Sequence, residues 1–283
     1  MPHDQPVFPV ATGDGHRFEL IDVCPGVTRR TLLLLPGLGI PARHYIAFAR
    51  HLARDGTRVL IHEWRGAGAS NRRAARGCDW GYRELIQLDL DAAFATAFEA
   101  AEGEPVWLAG HSLGSQLAAV LAGRRRERTR GLVLIAGGAP HVQVFPWPMR
   151  LTLAIVLRAF PALARLVGHF PGRRLGFGGN EAHGVMRDWA WTGLNGRYDV
   201  PTLDFSPERA MAALRVPVLT VRMADDGWVP PASLERLLDY LPGCTIERTE
   251  VTAREQGARA DHFRWLKSPG ATAAVVTRWM AGI

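Results

Sequence analysis

The chain has a single lysine, Lys267, although its formal net charge is +7 over 283 residues. Its other side-chain cations are arginines, and they are dispersed. The one dense run is Arg124-Arg125-Arg126-Glu127-Arg128. It reads as a solvated helix C-terminus, where cations complement the macrodipole. No nucleic-acid motif accompanies it, so no nucleic-acid partner is expected. The charge instead favours anionic surfaces or acidic substrates. Cysteine is scarce too. Cys24, Cys78 and Cys244 are odd in number and far apart, which excludes a disulfide framework and any metal spacing. That usage fits a reducing compartment and a cytoplasmic location. No stretch reaches the ~18 apolar residues of a membrane span. The run from Leu151 to Leu157 is broken by Arg158, Pro161 and Arg165. Residues Met1 to Pro6 lack the basic and apolar regions of a leader. Internal repeats and low-complexity linkers are also missing. A hydrophobic content of 47% excludes global disorder, and the length suits one α/β domain with an insertion.

What is present is an alternation of short apolar runs and helical patterns. Strand candidates are Phe18–Val23, Thr31–Leu35, Arg58–Trp64, Val106–Gly110, Gly131–Ala136, Val216–Met223 and Thr245–Val251. Helical patterns are Tyr45–Arg54, Tyr82–Glu99, Leu113–Arg124, Ala232–Leu241 and Ala271–Met280. This alternation predicts βαβ units and a mostly parallel central sheet with helices on both faces. The rhythm breaks from Ala139 to about Ala210, where no strand is evident. Residues 1–138 and 211–283 are therefore read as the core, and 139–210 as an inserted helical lid. Arg158 and Arg165 fall on one helical face within it. Its second half carries Phe177, Trp189 and Trp191, which should face the cleft or the core rather than solvent. A surface elaboration is one alternative. Membrane-surface contact through Pro148 to Phe170 is another.

Gly110-His111-Ser112-Leu113-Gly114 matches G-x-S-x-G, between an apolar run and a helical stretch. That strand-turn-helix setting is what gives this pattern its meaning as a nucleophile elbow. The flanking glycines let neighbouring backbone approach, and Ser112 projects its hydroxyl from the top of the sheet. A plain Gly-rich turn is the bland alternative. A serine hydroxyl needs a base, and the base needs a carboxylate to orient it. On such a sheet the partners follow in the order Ser, Asp or Glu, His. Val216 to Met223 is followed by Ala224-Asp225-Asp226-Gly227, so two carboxylates compete. Asp226 is preferred for its spacing to Pro230, with Asp225 kept open and turn chemistry as the alternative for both. Of ten histidines, only His262 follows Asp226, and it is the expected general base. His111 is read as packing beside the nucleophile; His44, His62, His141, His169 and His183 are read as surface or lid residues. The oxyanion donors are assigned to the backbone N–H groups of Leu113 and of Leu38, in the loop Pro36-Gly37-Leu38-Gly39-Ile40-Pro41.

Glu63-Trp64-Arg65-Gly66-Ala67-Gly68-Ala69-Ser70 resembles the D-x-R-G-x-G-x-S segment of many α/β-hydrolases, with glutamate in place of aspartate. Together with the elbow, the acid loop and Asp261-His262-Phe263, it makes the chain similar to the α/β-hydrolase superfamily from about Phe18 to Met280. More narrowly, Pro36 to Tyr45, Phe170 to Gly176 and Asp261-His262-Phe263 resemble an uncharacterised bacterial group of predicted α/β-hydrolases, loosely related to the serine aminopeptidase-like lineage. One departure is Pro36-Gly37, where many relatives carry His-Gly and the histidine steadies the oxyanion loop. The resemblance and the residues together imply a serine hydrolase. It would cleave a carboxylic ester of a small-molecule acyl substrate through Ser112, His262 and Asp226, without metal or organic cofactor. Thioester, amide and lactone hydrolysis and perhydrolysis use the same triad and stay open. So does a ligand-binding protein that has kept the fold without catalysis.

Overall fold

Four consecutive leucines, Leu32 to Leu35, are fully buried, as a strand covered on both faces requires. The computed structural model describes residues 4–283; residues 1–3, part of the opening segment read as lacking a leader, lie outside the described residues. In chain order the elements begin β1 Val7–Ala11, β2 Arg17–Val23, β3 Arg30–Leu35, α1 Ile46–Ala53 and β4 Thr57–His62. A π-helical stretch, Glu84–Leu90, runs into α2 Asp91–Ala100, followed by β5 Val106–His111, α3 Leu113–Arg124 and β6 Thr129–Ile135. Then come α4 Met149–Val167, β7 Phe170–Pro171, α5 Gly172–Leu175, β8 Asn180–Glu181, α6 His183–Asn195 and α7 Pro207–Ala212. The remaining elements are β9 Pro217–Met223, α8 Pro231–Leu238, β10 Thr245–Val251, α9 Ala253–Gln256 and α10 Gly270–Ala281.

The eight-stranded sheet has the order β1-β2-β4-β3-β5-β6-β9-β10. Only β1 with β2 and β2 with β4 run antiparallel; every other pair is parallel. The mostly parallel sheet with helices on both faces is thus the one the sequence predicts. Side-chain parity divides the core. Leu33, Leu35 and Leu60 pack with α2 and α3, whereas Leu32, Leu34 and Ile61 pack with α1 and α10. Helix α3 is buried from Leu113 to Gly123, which its nearly unbroken run of small and apolar residues permits.

Three features depart from the sequence reading. Strand β1 was not expected; it is short, carries Pro9 and pairs only at the sheet edge, where proline is tolerated. The region after Ala139 holds a two-residue ladder, β7 with β8, too short to leave a periodic signal. His62 is a core residue and not a surface or lid one. It shares strand parity with Leu60, so its ring turns inward between Phe18 and Trp64, at centroid distances of 5.0 and 4.6 Å. Burial pushes its pKa down to about 3, so the ring packs as a neutral group.

Candidate active site

The tight turn between β5 and α3 places Ser112 at φ 54°, ψ −119°, a conformation that side chains rarely adopt. The turn closes only because its flanks lack side chains. A Cβ on Gly110 would lie 2.2 Å from the Gly114 carbonyl, and one on Gly114 would lie 2.1 Å from the Leu35 oxygen. The result is a half-buried serine at the N-terminus of a buried helix.

Two loops from distant sequence converge on it. His262 Nε2 lies 2.9 Å from Ser112 Oγ, and His262 Nδ1 lies 2.8 Å from Asp226 Oδ2. A carboxylate only accepts, so Nδ1–H donates to Asp226 and the Nε2 lone pair receives the serine O–H. Asp226 Oδ1 in turn accepts from the N–H groups of Trp228 at 2.7 Å and Val229 at 3.1 Å. Asp225 points elsewhere. Its Oδ2 accepts from Ala260 N at 3.0 Å, and its own N–H donates to Ala260 O at 2.9 Å. It fastens the acid loop to the loop carrying His262.

Leu38 and Leu113 line the same cavity as Ser112 and His262. Among the described residues, neither backbone N–H is spent on a protein acceptor. The loop around Leu38 has no histidine of its own, and other residues steady it. Gly37 N–H donates to Tyr45 Oη at 2.8 Å, Tyr45 O–H donates to His111 Nδ1 at 2.7 Å, and His111 Nε2–H donates to the His262 carbonyl at 2.9 Å. Trp64 Nε1–H holds the Pro36 carbonyl at 3.0 Å. Burial, with His262 beside it, keeps the pKa of His111 well below its ordinary value, so the ring stays neutral as this relay requires. His111 therefore joins the loop around Leu38 to the loop carrying His262. Tyr45 and Trp64 escaped the sequence reading because their partners are up to 66 residues away.

A second Ser–His–Asp array lies in the molecule and shows what the first has in addition. His16 Nδ1 meets Asp89 at 2.9 Å and its Nε2 meets Ser70 Oγ at 2.9 Å. Arg65 clamps Asp89 through two bonds of 2.9 and 2.6 Å. Ser70 Oγ is occupied by the N–H groups of Gly66 and Arg72, and His16 and Asp89 are fully buried. None of its three residues lines the cavity into which Ser112 opens. It is the structural purpose of the Glu63-to-Ser70 segment, which ties the β1–β2 turn to the π-helical stretch.

Ser112 instead opens into a cavity of about 560 Å³. Its far wall comes from the stretch after Ala139, through Met149, Leu153, Val156 and Phe160 of α4 and through Phe177 and Trp189. Trp191 packs against the core. Among the described residues, no aspartate, glutamate, lysine or arginine lines this space. Gln116, one turn beyond Ser112, also lines it; its Oε1 is buried and, among the described residues, has no hydrogen-bond partner. A polar residue on a helix buried all round was the available signal for it.

Residues 26–188 match the family described as serine aminopeptidase, S33. No curated protein matches the chain in sequence. Among solved structures, a thermophilic esterase from Thermogutta terrifontis superposes with a TM-score of 0.68 at 17% identity, covering 98% of each chain. The esterase domain of a Rhodothermus marinus protein gives 0.63 at 17% identity, again over 98% of each. The thioesterase domain from the curacin biosynthetic pathway gives 0.60 at 16%, covering 97% of this chain and 99% of that one. At these identities the likeness is one of fold.

Proposed function

This chain belongs to the serine aminopeptidase S33 family of α/β-hydrolases, and from that premise we propose that it hydrolyses a carboxylic ester with an apolar acyl group, using Ser112 as nucleophile. The observation that carries this reading is the continuous Ser112–His262–Asp226 hydrogen-bond path at the floor of an uncharged cavity. Ser112 Oγ attacks the acyl carbonyl while His262 Nε2 takes its proton. The N–H groups of Leu38 and Leu113 receive the oxyanion, and Asp226 stabilises the imidazolium. His262 then protonates the leaving oxygen. Water, deprotonated by the same ring, releases the acid from the acyl-enzyme. The insertion 139–210 acts as the lid that forms the acyl pocket.

The cavity favours an acyl ester over a peptide N-terminus. An α-ammonium group would need a carboxylate to pair with, and the lining offers none. Hydrolysis of a graded series of p-nitrophenyl acyl esters tests the reading. Medium and long chains should be preferred over acetate, with roughly 1–3 kcal/mol lost per ill-fitting methylene-sized group. Ser112→Ala should lose nearly all turnover. Preference for aminoacyl amides over every ester would refute it.

A further inference from the structure

Helix α4 has two apolar faces, and only one is used by the cavity. The inner face gives Leu153, Val156 and Phe160 to the cavity and Leu157 to the core. The outer face presents Leu151, Ile155 and Leu166, which are 46%, 59% and 74% exposed. Exposed Ala159 and Ala162 complete the stripe, at helical spacing along one line. Six of the large apolar side chains exposed on the described residues lie between 147 and 175, where a surface facing only water would scatter them.

Charge accompanies the stripe. Arg150, Arg158 and Arg165 are exposed, and each precedes a stripe residue by one position, so they flank it along one edge. Arg173 and Arg174 continue the basic character on α5. Arg76 joins them from outside the insertion, its Nη2 donating to the Leu166 carbonyl at 2.8 Å. From residue 128 to residue 180 the chain contains no aspartate or glutamate.

We propose that the outer face of α4 docks on an anionic lipid surface. A helix with an exposed apolar stripe and an arginine-rich edge lies in the plane of such an interface, its stripe among the acyl chains and its guanidinium groups at the phosphates. Charge decides against a second copy of the chain as the occupant. Two such faces set together would oppose arginine to arginine with no carboxylate of this segment to relieve them. The helix is too broken by arginines to cross the bilayer; among the described residues, no helix is long and apolar enough to do so. Docking does not depend on the reaction at Ser112. Its consequence is that the cavity, whose wall is the other side of the same helix, is held at the membrane surface.

The test is co-sedimentation of the full chain with vesicles of phosphatidylcholine, alone or with about a third phosphatidylglycerol, at low and high salt. Binding should require the anionic lipid and weaken as salt rises. The paired change Ile155→Glu with Leu166→Glu should lower vesicle partitioning at least tenfold. Arg158→Glu with Arg165→Glu should do the same through the electrostatic contribution alone. Both variants should hydrolyse a short water-soluble ester at the wild-type rate, which shows that they are folded, since none of these side chains lines the cavity. Failure of the wild type to bind anionic vesicles would overturn the proposal, as would binding that survives both paired changes. Concentration-dependent dimerisation that the Ile155/Leu166 pair abolishes, without any vesicle binding, would assign the face to a second copy instead.

Discussion

Asp225 and Asp226 are neighbours with the same chemistry, yet one holds a backbone loop and the other holds an imidazole. Sequence spacing favoured Asp226, but only the direction of each side chain separates the two roles. Asp226→Asn should lower kcat by roughly 10⁴-fold, because an amide can present its NH₂ group to Nδ1 and reverse the tautomer. Asp225→Asn should cost far less activity, and a kcat comparison of the two variants decides between them. The larger loss in Asp225→Asn would overturn the assignment. Glu63 gives a second prediction at this scale. Burial pushes its carboxyl up to about 7, despite the Ala42 N–H and the charges of Arg43 and Arg73. A raised carboxyl binds its proton more tightly in the folded chain than in the unfolded one. Stability should therefore fall as pH rises from the ordinary carboxyl range through about 7. Glu63→Gln keeps an acceptor for the Ala42 N–H and should remove that decline, a relative gain on the order of 2 kcal/mol above neutrality. Thermal melts of both proteins across this pH range check it; parallel profiles would contradict it.

The turn that joins β5 to α3 shows how much an element can reveal from sequence. G-x-S-x-G was legible because two glycines at fixed spacing, after an apolar run and before a helix, have few other uses. Their need is steric and local. Gly114→Ala should drive a methyl into the Leu35 carbonyl and destabilise the fold by at least about 3 kcal/mol, read as a fall in the urea midpoint. A variant as stable as wild type would mean that the elbow can open without cost. The sheet was legible for a related reason: its central strands are continuous Leu, Val and Ile runs buried on both faces. Strand β1 was not, because an edge strand with a proline has no such run. The steadying relay through Tyr45 and His111 was illegible as well. It depends on which helix packs against which loop, and no local spacing encodes that.

Across the whole molecule, three segments far apart in the chain meet at one point. Ser112 and Asp226 follow the ends of β5 and β9, His262 lies in the loop after α9, and residues from 149 to 189 line the far side of the space above them. Chain order was enough to expect that meeting, because a parallel sheet brings its strand C-terminal ends to one edge. The shape of the cavity was not legible, since α4 sends one apolar face inward and one outward, and composition alone does not say which residue goes where. The buried His16–Asp89–Ser70 array sharpens the test of Ser112 as nucleophile, because the molecule contains the same three residue types twice. The measurement is the site of covalent labelling by a fluorophosphonate, located by peptide mass mapping in wild type, Ser112→Ala and His262→Ala. One adduct is expected, on Ser112, absent from Ser112→Ala and greatly slowed in His262→Ala. An adduct on Ser70 or any other serine, or labelling of Ser112→Ala at the wild-type rate, would contradict it.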